Sequence, residues 1–435
     1  MSGTYLNPGC GYIADMGASA MPDPISHEDV QYLRELSRRV SEVAEKPIQE
    51  TRRKLWYAHN ALEETRPVFI LYPEDGWRDL IPEEELRLMS PFWRNYEWYL
   101  RHLLYRDEHI ADDFIIEPVI YSQVDYGFDN GAFGLPPAGQ RRISETGSWI
   151  NEPLLKSYDQ LPDLKYQNLF IMEDSSKKKY DALREVFDGY LPVEQNLTSM
   201  FLINQPGTAA LLRGIEQLML DMYDEPENVH VLMRFLTDNL LQVFRQMEAS
   251  GYLTDNNGNH YVASGGSGHR RNGVADPEHI RLSGLWGFGV AQEFSEISPQ
   301  MHGVFGIRYQ NEVMALFGAN SYGCCEPYTH KFAILKSIPH LQRVSVSPWC
   351  DIERARDALQ RDVIFSWKPN PATLLFSNDW EEIRQYIHRT LEICDGCVLE
   401  ILLKDIIHLR GMQDRIPRLA DLIGEEIQRR GWTLP

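Results

Sequence analysis

The sequence holds only six cysteines in 435 residues, too few to staple a chain of this size, so it is no disulfide scaffold. No apolar run approaches the roughly 18 residues that a membrane-spanning helix needs. The N-terminal stretch MSGTYLNPGCGYIADMG has neither the basic nor the apolar block of a secretory leader. Basic residues are outnumbered, 43 Lys and Arg against 63 Asp and Glu, for a formal charge of −20. Such a field repels phosphate backbones, which excludes nucleic acid as a default partner. No Gly-x-Gly-x-x-Gly opens a helix after a strand and no Walker loop is present, so nucleotide-binding folds lose support. What is there is globular: 43% hydrophobic and 24% charged residues, the balance of a packed chain. Together these traits predict a soluble, cytoplasmic protein with no membrane contact.

Residues 1–27 are rich in Gly, Pro and small side chains and read as an irregular arm. From 25 to 62 apolar residues recur at helical spacing (Val30, Leu33, Leu36, Val40, Val43), with Ser26 as N-cap and Asp29 as an acidic variant of the capping box. The expected organisation is therefore an N-terminal arm and helical extension over 1–65, followed by one large domain over 66–435. In that domain β-branched or apolar runs alternate with amphipathic helices. The runs fall at 67–71, 114–121, 200–204, 284–288, 320–325, 343–347, 363–367 and 397–403; the helices include 226–250, 299–317, 351–360, 379–393 and 416–430. This alternation predicts an α/β fold with a parallel sheet, and the regular βα units after Gly284 favour closure into a TIM (β/α)8 barrel. The Gly- and Asn-rich stretch at 255–273 reads either as a lid or binding loop or as an exposed hairpin.

In such a barrel the chemistry lies at the carboxyl ends of the strands. Four segments follow predicted strands there: VAQEFSEISP (290–299), SYGCCEP (321–327), SVSPWCD (345–351) and SWKPNPA (366–372). Alternation places Tyr322, Cys324 and Glu326 on one face and turns Ser345, Ser347, Ser366, Lys368 and Glu400 inward. A thiol among carboxylates at strand ends suits zinc. Cys324 is the leading ligand, Glu296 its carboxylate partner, and Cys325 and Glu293 stand behind them; packing as a small apolar filler is the alternative for each thiol. Trp349, Trp367, Ser347, Asn370 and Arg270 are candidates to line or clamp a substrate. The pair Cys394 and Cys397 (CDGC) joins a helix end to a strand start, at the opposite end of a barrel, and reads as structural.

At these residues the chain resembles the uroporphyrinogen decarboxylase superfamily, in a divergent branch near the cobalamin-dependent (corrinoid) methyltransferases. The resemblance rests on LDMYDEPENVHVLMRFL (220–236), EISPQMHGVFGIRYQ (296–310), the strand end GCCEP and the run LEICDGCVLEILLKDI, and it spans about residues 66–430. It implies a TIM barrel and, as activity, transfer of a methyl group from a small O-, N- or S-methyl donor to a corrinoid carried by a separate protein. Zinc would serve as Lewis acid, held by Glu296, Cys324 and a third ligand such as Cys325. Tyr322 or Lys368 would protonate the leaving atom. Two departures matter. The early Arg-rich motif of the decarboxylases is replaced by VFILYPEDGWRDL (68–80), and Tyr322 stands where a His-x-Cys motif has histidine. Superfamily members are monomers or homodimers, and either is expected here. The competing readings are a metal-free decarboxylase or lyase on a small carboxylic acid, with Glu293 or Glu296 as acid/base and Lys368 with the Arg270 loop holding the acid, and a non-catalytic corrinoid- or tetrapyrrole-binding module.

Overall fold

The computed structural model describes residues 20–136, 140–142, 149–271 and 273–432; most of the expected N-terminal arm lies outside them. The helical pattern that opens the described chain forms two helices, α1 (His27–Ala44) and α2 (Pro47–Asn60). Ser26 caps α1 by accepting the Asp29 amide, as its sequence predicts. The helical extension is divided into two helices at Pro47, which has no N–H to give and fits only a first turn. Leu33, Val40 and Trp56 from this pair share one core cluster with Val68 and Ile70. The extension is thus built into the core of the domain that follows.

Among the described residues nine strands pair in parallel: β1 (Val68–Leu71), β2 (Ile120–Gln123), β3 (Val193–Asn196), β4 (Phe201–Ile203), β5 (Trp286–Gly289), β6 (Ala319–Tyr322), β7 (Leu341–Val346), β8 (Ile364–Trp367) and β9 (Val398–Leu403). Seven form one sheet in the order β1-β9-β8-β7-β6-β5-β4, and β2 pairs with β3. The α/β parallel architecture is the one the alternation of elements implies. Two strands differ from expectation. The run at 114–121 becomes a strand only from Ile120, because Asp112 and Asp113 ahead of it accept the amides of Leu71 and Phe69 with their carboxylates (2.9 and 3.0 Å). The second, β3, reads VEQN and has no apolar alternation to betray it.

Val344, Val346, Phe365, Trp367, Leu399, Ile401 and Leu403 point away from the sheet's inner face and pack beneath the helices. The other face therefore carries Arg343, Ser345, Ser366, Glu400 and Leu402. This polar surface is covered by the stretch at 255–271, neither a lid nor an exposed hairpin. Asn256 exchanges hydrogen bonds with the backbone of Trp286 (2.9 and 3.1 Å), and the Trp286 indole donates to Gly268 O (2.7 Å). Val262 packs on Trp286 and Ala319, and Ala263 on Phe288 and Val290. Glycine is required at the turn: Gly265 and Gly266 have φ of +91° and +87°, and a Cβ on Gly266 would lie 2.9 Å from the Arg343 guanidinium carbon and 3.0 Å from a Glu400 oxygen. A Gly/Asn/Ser-rich loop can enter a core only if its backbone groups find partners there, and the inward polar side chains supply them. Among the described residues no helix is long and apolar enough to cross a membrane.

Four of the five histidines buried among the described residues tie this packing to pH. Burial, more than any neighbour, lowers His59 and His302 to about 3, His260 to about 4, and His102 well below its ordinary value. Each stays neutral in the folded chain while its unfolded counterpart takes a proton below about 6.5. Stability is therefore full above that pH and falls as pH drops, by about 1.4 kcal/mol per unit for each histidine. Urea midpoints at pH 7.5 and 5.5 are expected to show a large drop at the lower pH. His59→Gln and His260→Gln should each flatten it.

Candidate active site

The carboxyl end of β6 runs into Gly323, whose φ of +95° breaks the strand's alternation. A side chain there would collide with the Tyr328 ring at 2.5 Å. The kink separates two residues that alternation had placed together. Tyr322, expected to act on substrate, faces outward: its hydroxyl donates to Gln310 Oε1 (2.6 Å) and lies 3.1 Å from His302 Nε2 beneath the helices. Cys324 is turned to the inner face. The buried Glu326 carboxylate fixes that turn by accepting from the amides of Cys324 (2.9 Å) and Ala291 (3.2 Å) and from the Tyr328 hydroxyl. Ser345 adds a bond to Cys324 O (2.8 Å). The loop over the inner face reaches the same point, where the Ser264 hydroxyl donates to the Cys324 sulfur (3.2 Å).

Cys324 Sγ lies 3.4 Å from Cys325 Sγ. Hydrogen bonding from the Cys325 thiol lowers the Cys324 pKa to about 6; burial opposes this, while the Lys404 ammonium and Ser264 add to it. Cys325 is held well above its usual range by the same contact, and its sulfur sits 3.8 Å from Asp405 Oδ2. Burial pulls Lys404 down, but Glu74, Cys324, Asp405 and Cys325 together hold it above its ordinary value. Lys404 pairs with Asp405 and, at 3.8 Å, with Glu74. Burial raises Glu74 to about 7 despite Lys404. Both Glu74 and Asp405 occupy the left-handed region (φ 51° and 62°), a strain that persists only where surroundings impose it; here the Asp405 amide is bound to Glu74 Oε2 at 2.7 Å. Lys368, buried on the inner face beside Ser366, is lowered to about 8 by burial, with Lys404 and Arg343 assisting.

Next to the thiol the inner face is open. Leu202 lies in register with Phe288 and opposite to the outward Phe201 and Ile203, yet it is 44% exposed. Phe288, Val290, Ala263 and Met200 form an apolar wall that ends at Cys324. This exposed, apolar-walled end of the inner face outlines a chamber, where the Lys404 and Lys368 ammonium groups and the Glu74 carboxyl group act electrostatically on the sulfur.

The remaining expected residues are dispersed. Glu296 is exposed and its charged neighbour is Lys331, which donates to Ser295 O (2.7 Å). Glu293 is half-buried after β5 and raised, chiefly by burial, with Glu326 contributing and one carboxylate oxygen unpartnered. Arg270 is engaged at the opposite edge of the sheet with Gly284 O (2.6 Å) and Asn257 (3.1 Å), so it clamps the loop where a substrate clamp was expected. Asn370 caps the helix Pro371–Phe376. Trp367 packs edge-on against Tyr386 (5.4 Å) on the outer face and, with Ser347 and Cys350, lines an outer cavity of about 450 Å³. Trp349 is 68% exposed in the loop after β7. Cys394 and Cys397 lie at the amino end of β9, away from the chamber.

The zinc site implied by the resemblance is not assembled by these positions. Among the described residues no group of three or more His, Cys, Asp or Glu is placed to hold a metal ion. Ser264, Glu74, Lys404 and Asp405 escaped the sequence reading, whereas Glu326 lies beside Cys324 as alternation implied. The signal for Lys404 and Asp405 was the LLKD run leaving the last strand; Ser264 gave none, since loops ordinarily stay outside a core.

No family model matches the chain, and comparison with curated proteins finds no match. Among solved structures, a methyltransferase from Methanosarcina mazei superposes with a TM-score of 0.47 at 11% identity, covering 87% of this chain and 98% of that one. A likeness of that degree carries no argument about activity.

Proposed function

We propose that the chain is a methyltransferase on a closed (β/α)8 barrel, taking a methyl group from a small O-, N- or S-methyl compound. Closure is supported by two features. Only residues 197–200 separate β3 from β4, so the two read as halves of one stave. The Asp113 amide also bonds Phe69 O (3.0 Å), which stitches β1 to the segment before β2. The single observation that carries the reading is the position of the Cys324 sulfur at the end of an apolar wall, with the Ser264 hydroxyl and Cys325 thiol on it and its pKa lowered to about 6. A methyl carbon is electron-poor as it transfers, and a polarisable anion fixed beside it stabilises that charge. The departing oxygen, nitrogen or sulfur needs a proton, and Glu74, which titrates near 7, or Lys404 can supply one. The acceptor is a corrinoid brought by a separate protein, as the resemblance implies. No step is assigned to zinc.

The test is demethylation of a panel of methoxyaromatics, methylamines and methyl thioethers with reduced free corrinoid as acceptor. Demethylated product from one class, lost in Cys324→Ser, is the expected result. A second reading is favoured by Lys404 and Lys368, two ammonium groups suited to a carboxylate: decarboxylation or lyase chemistry on a small acid. Release of carbon dioxide from such acids, with no demethylation of any donor, would replace the first reading by the second.

A further inference from the structure

We infer that Cys324 and Cys325 are a redox modification site, closing reversibly to a vicinal disulfide when a peroxide enters the chamber. The sulfurs already lie 3.4 Å apart, so bonding at about 2.05 Å requires them to approach by about 1.4 Å. Both side chains are half-buried, within reach of solvent. Their surroundings divide the labour. Cys324 has Ser264 and Lys404 about its sulfur, which suits the attacking thiolate. Cys325 is directed at the Asp405 carboxylate, an acceptor for the proton that a resolving thiol must lose. Cys350, by contrast, is tied to Ser347 and the Tyr328 amide.

The electrons balance with hydrogen peroxide as oxidant. The Cys324 thiolate attacks one peroxide oxygen, the O–O bond breaks, and hydroxide leaves to take a proton as water, giving a sulfenic acid. Cys325 sulfur then attacks Cys324 sulfur while its proton passes to Asp405. The S–O bond breaks, and the departing hydroxide takes that proton as a second water. Two thiols are oxidised by two electrons, and one peroxide becomes two waters. Adjacent residues have Cα atoms only about 3.8 Å apart, shorter than the usual disulfide span of about 4.4–6.8 Å, so the bond is strained and readily reduced by a dithiol. The effect on turnover rests on the reading of Cys324 above; the modification itself does not.

The test uses the full chain carrying Cys394→Ser and Cys397→Ser, which removes the only other close pair among the described residues. After stoichiometric hydrogen peroxide, the peptide containing residues 324 and 325 is weighed. The expected product has lost two hydrogens, dithiothreitol restores it, and demethylation falls and recovers in step. Cys325→Ser should instead lose no hydrogens and gain a single oxygen on Cys324, a sulfenic acid trapped by dimedone, and Asp405→Asn should slow closure several-fold. An unchanged peptide, or Cys324 sulfinic acid in place of the disulfide, overturns the proposal. Reversible closure in a protein that demethylates nothing would leave this inference standing and remove the methyl-transfer reading.

Discussion

Cys324→Ser is expected to lower kcat by about a hundredfold or more and to leave the urea midpoint close to that of the parent. Serine keeps the size of the side chain and can still bond Ser264, but its hydroxyl stays protonated at working pH. The anion beside the reacting carbon is then lost while the fold is kept. A pH profile separates this from a packing defect. In the parent chain kcat/KM should rise with pH as Cys324 ionises near 6 and decline as Glu74 gives up its proton near 7, leaving a narrow optimum between them. Cys324→Ser should lose the acid limb and keep the alkaline one, and Glu74→Gln should do the reverse. Iodoacetamide gives an independent reading, since alkylation of Cys324 should climb with pH about a midpoint near 6. A serine variant with full turnover would remove the sulfur from the chemistry.

What the chain discloses in one dimension divides by the range of the interactions involved. The units β7 to β9 are legible because each strand carries apolar residues whose period of two survives on the outer face: Val344 and Val346, Phe365 and Trp367, Leu399 and Ile401 all lie under the helices as their spacing implies. Glu400, Ser345 and Lys368 follow as inward residues. Legibility ends where one residue resets the period. Gly323 at φ +95° sends Tyr322 and Cys324 to opposite faces, so simple alternation groups the thiol with a tyrosine that it never meets. Glu296 was paired with that thiol on the strength of neighbouring strand ends, yet the turn at 292–294 leaves it in solvent. The site's strongest ionic partners, Glu74 and Lys404, follow β1 and β9 and lie far apart in the chain; only the β1–β9 pairing brings them together. The stretch at 255–271 had every local mark of a surface loop, and its inward course is dictated by inner-face polar groups contributed by other strands.

Those polar groups set the second large effect. Arg343 and Glu400 face each other across the inner surface, with guanidinium Nε 2.9 Å from a carboxylate oxygen and both side chains almost wholly buried. Arg343 also donates to Ser267 O (3.0 Å) and Asn60 Oδ1 (3.1 Å), and its guanidinium carbon lies 4.9 Å from the Trp286 ring centroid. The nearest other cationic candidate to Glu400 is His59 at 3.9 Å, which burial keeps neutral. Glu400→Ala therefore strands a buried guanidinium without its counter-charge and should destabilise the chain by about 3–5 kcal/mol. The double variant Arg343→Met with Glu400→Leu removes both charges and should recover much of that loss, because the cost lies in the unpaired ion more than in the missing pair. Urea denaturation of the single and double variants gives the comparison; equal losses in both would locate the damage in packing alone. The pair also holds the turn at Gly266, two residues from Ser264, whose hydroxyl contacts the Cys324 sulfur. Loosening that turn withdraws Ser264, one of the groups that keep the thiol ionised. The alkylation midpoint of Cys324 should accordingly move upward in Glu400→Ala, and a midpoint unmoved in a variant that still folds would show that the loop is a filler with no hand in the chemistry.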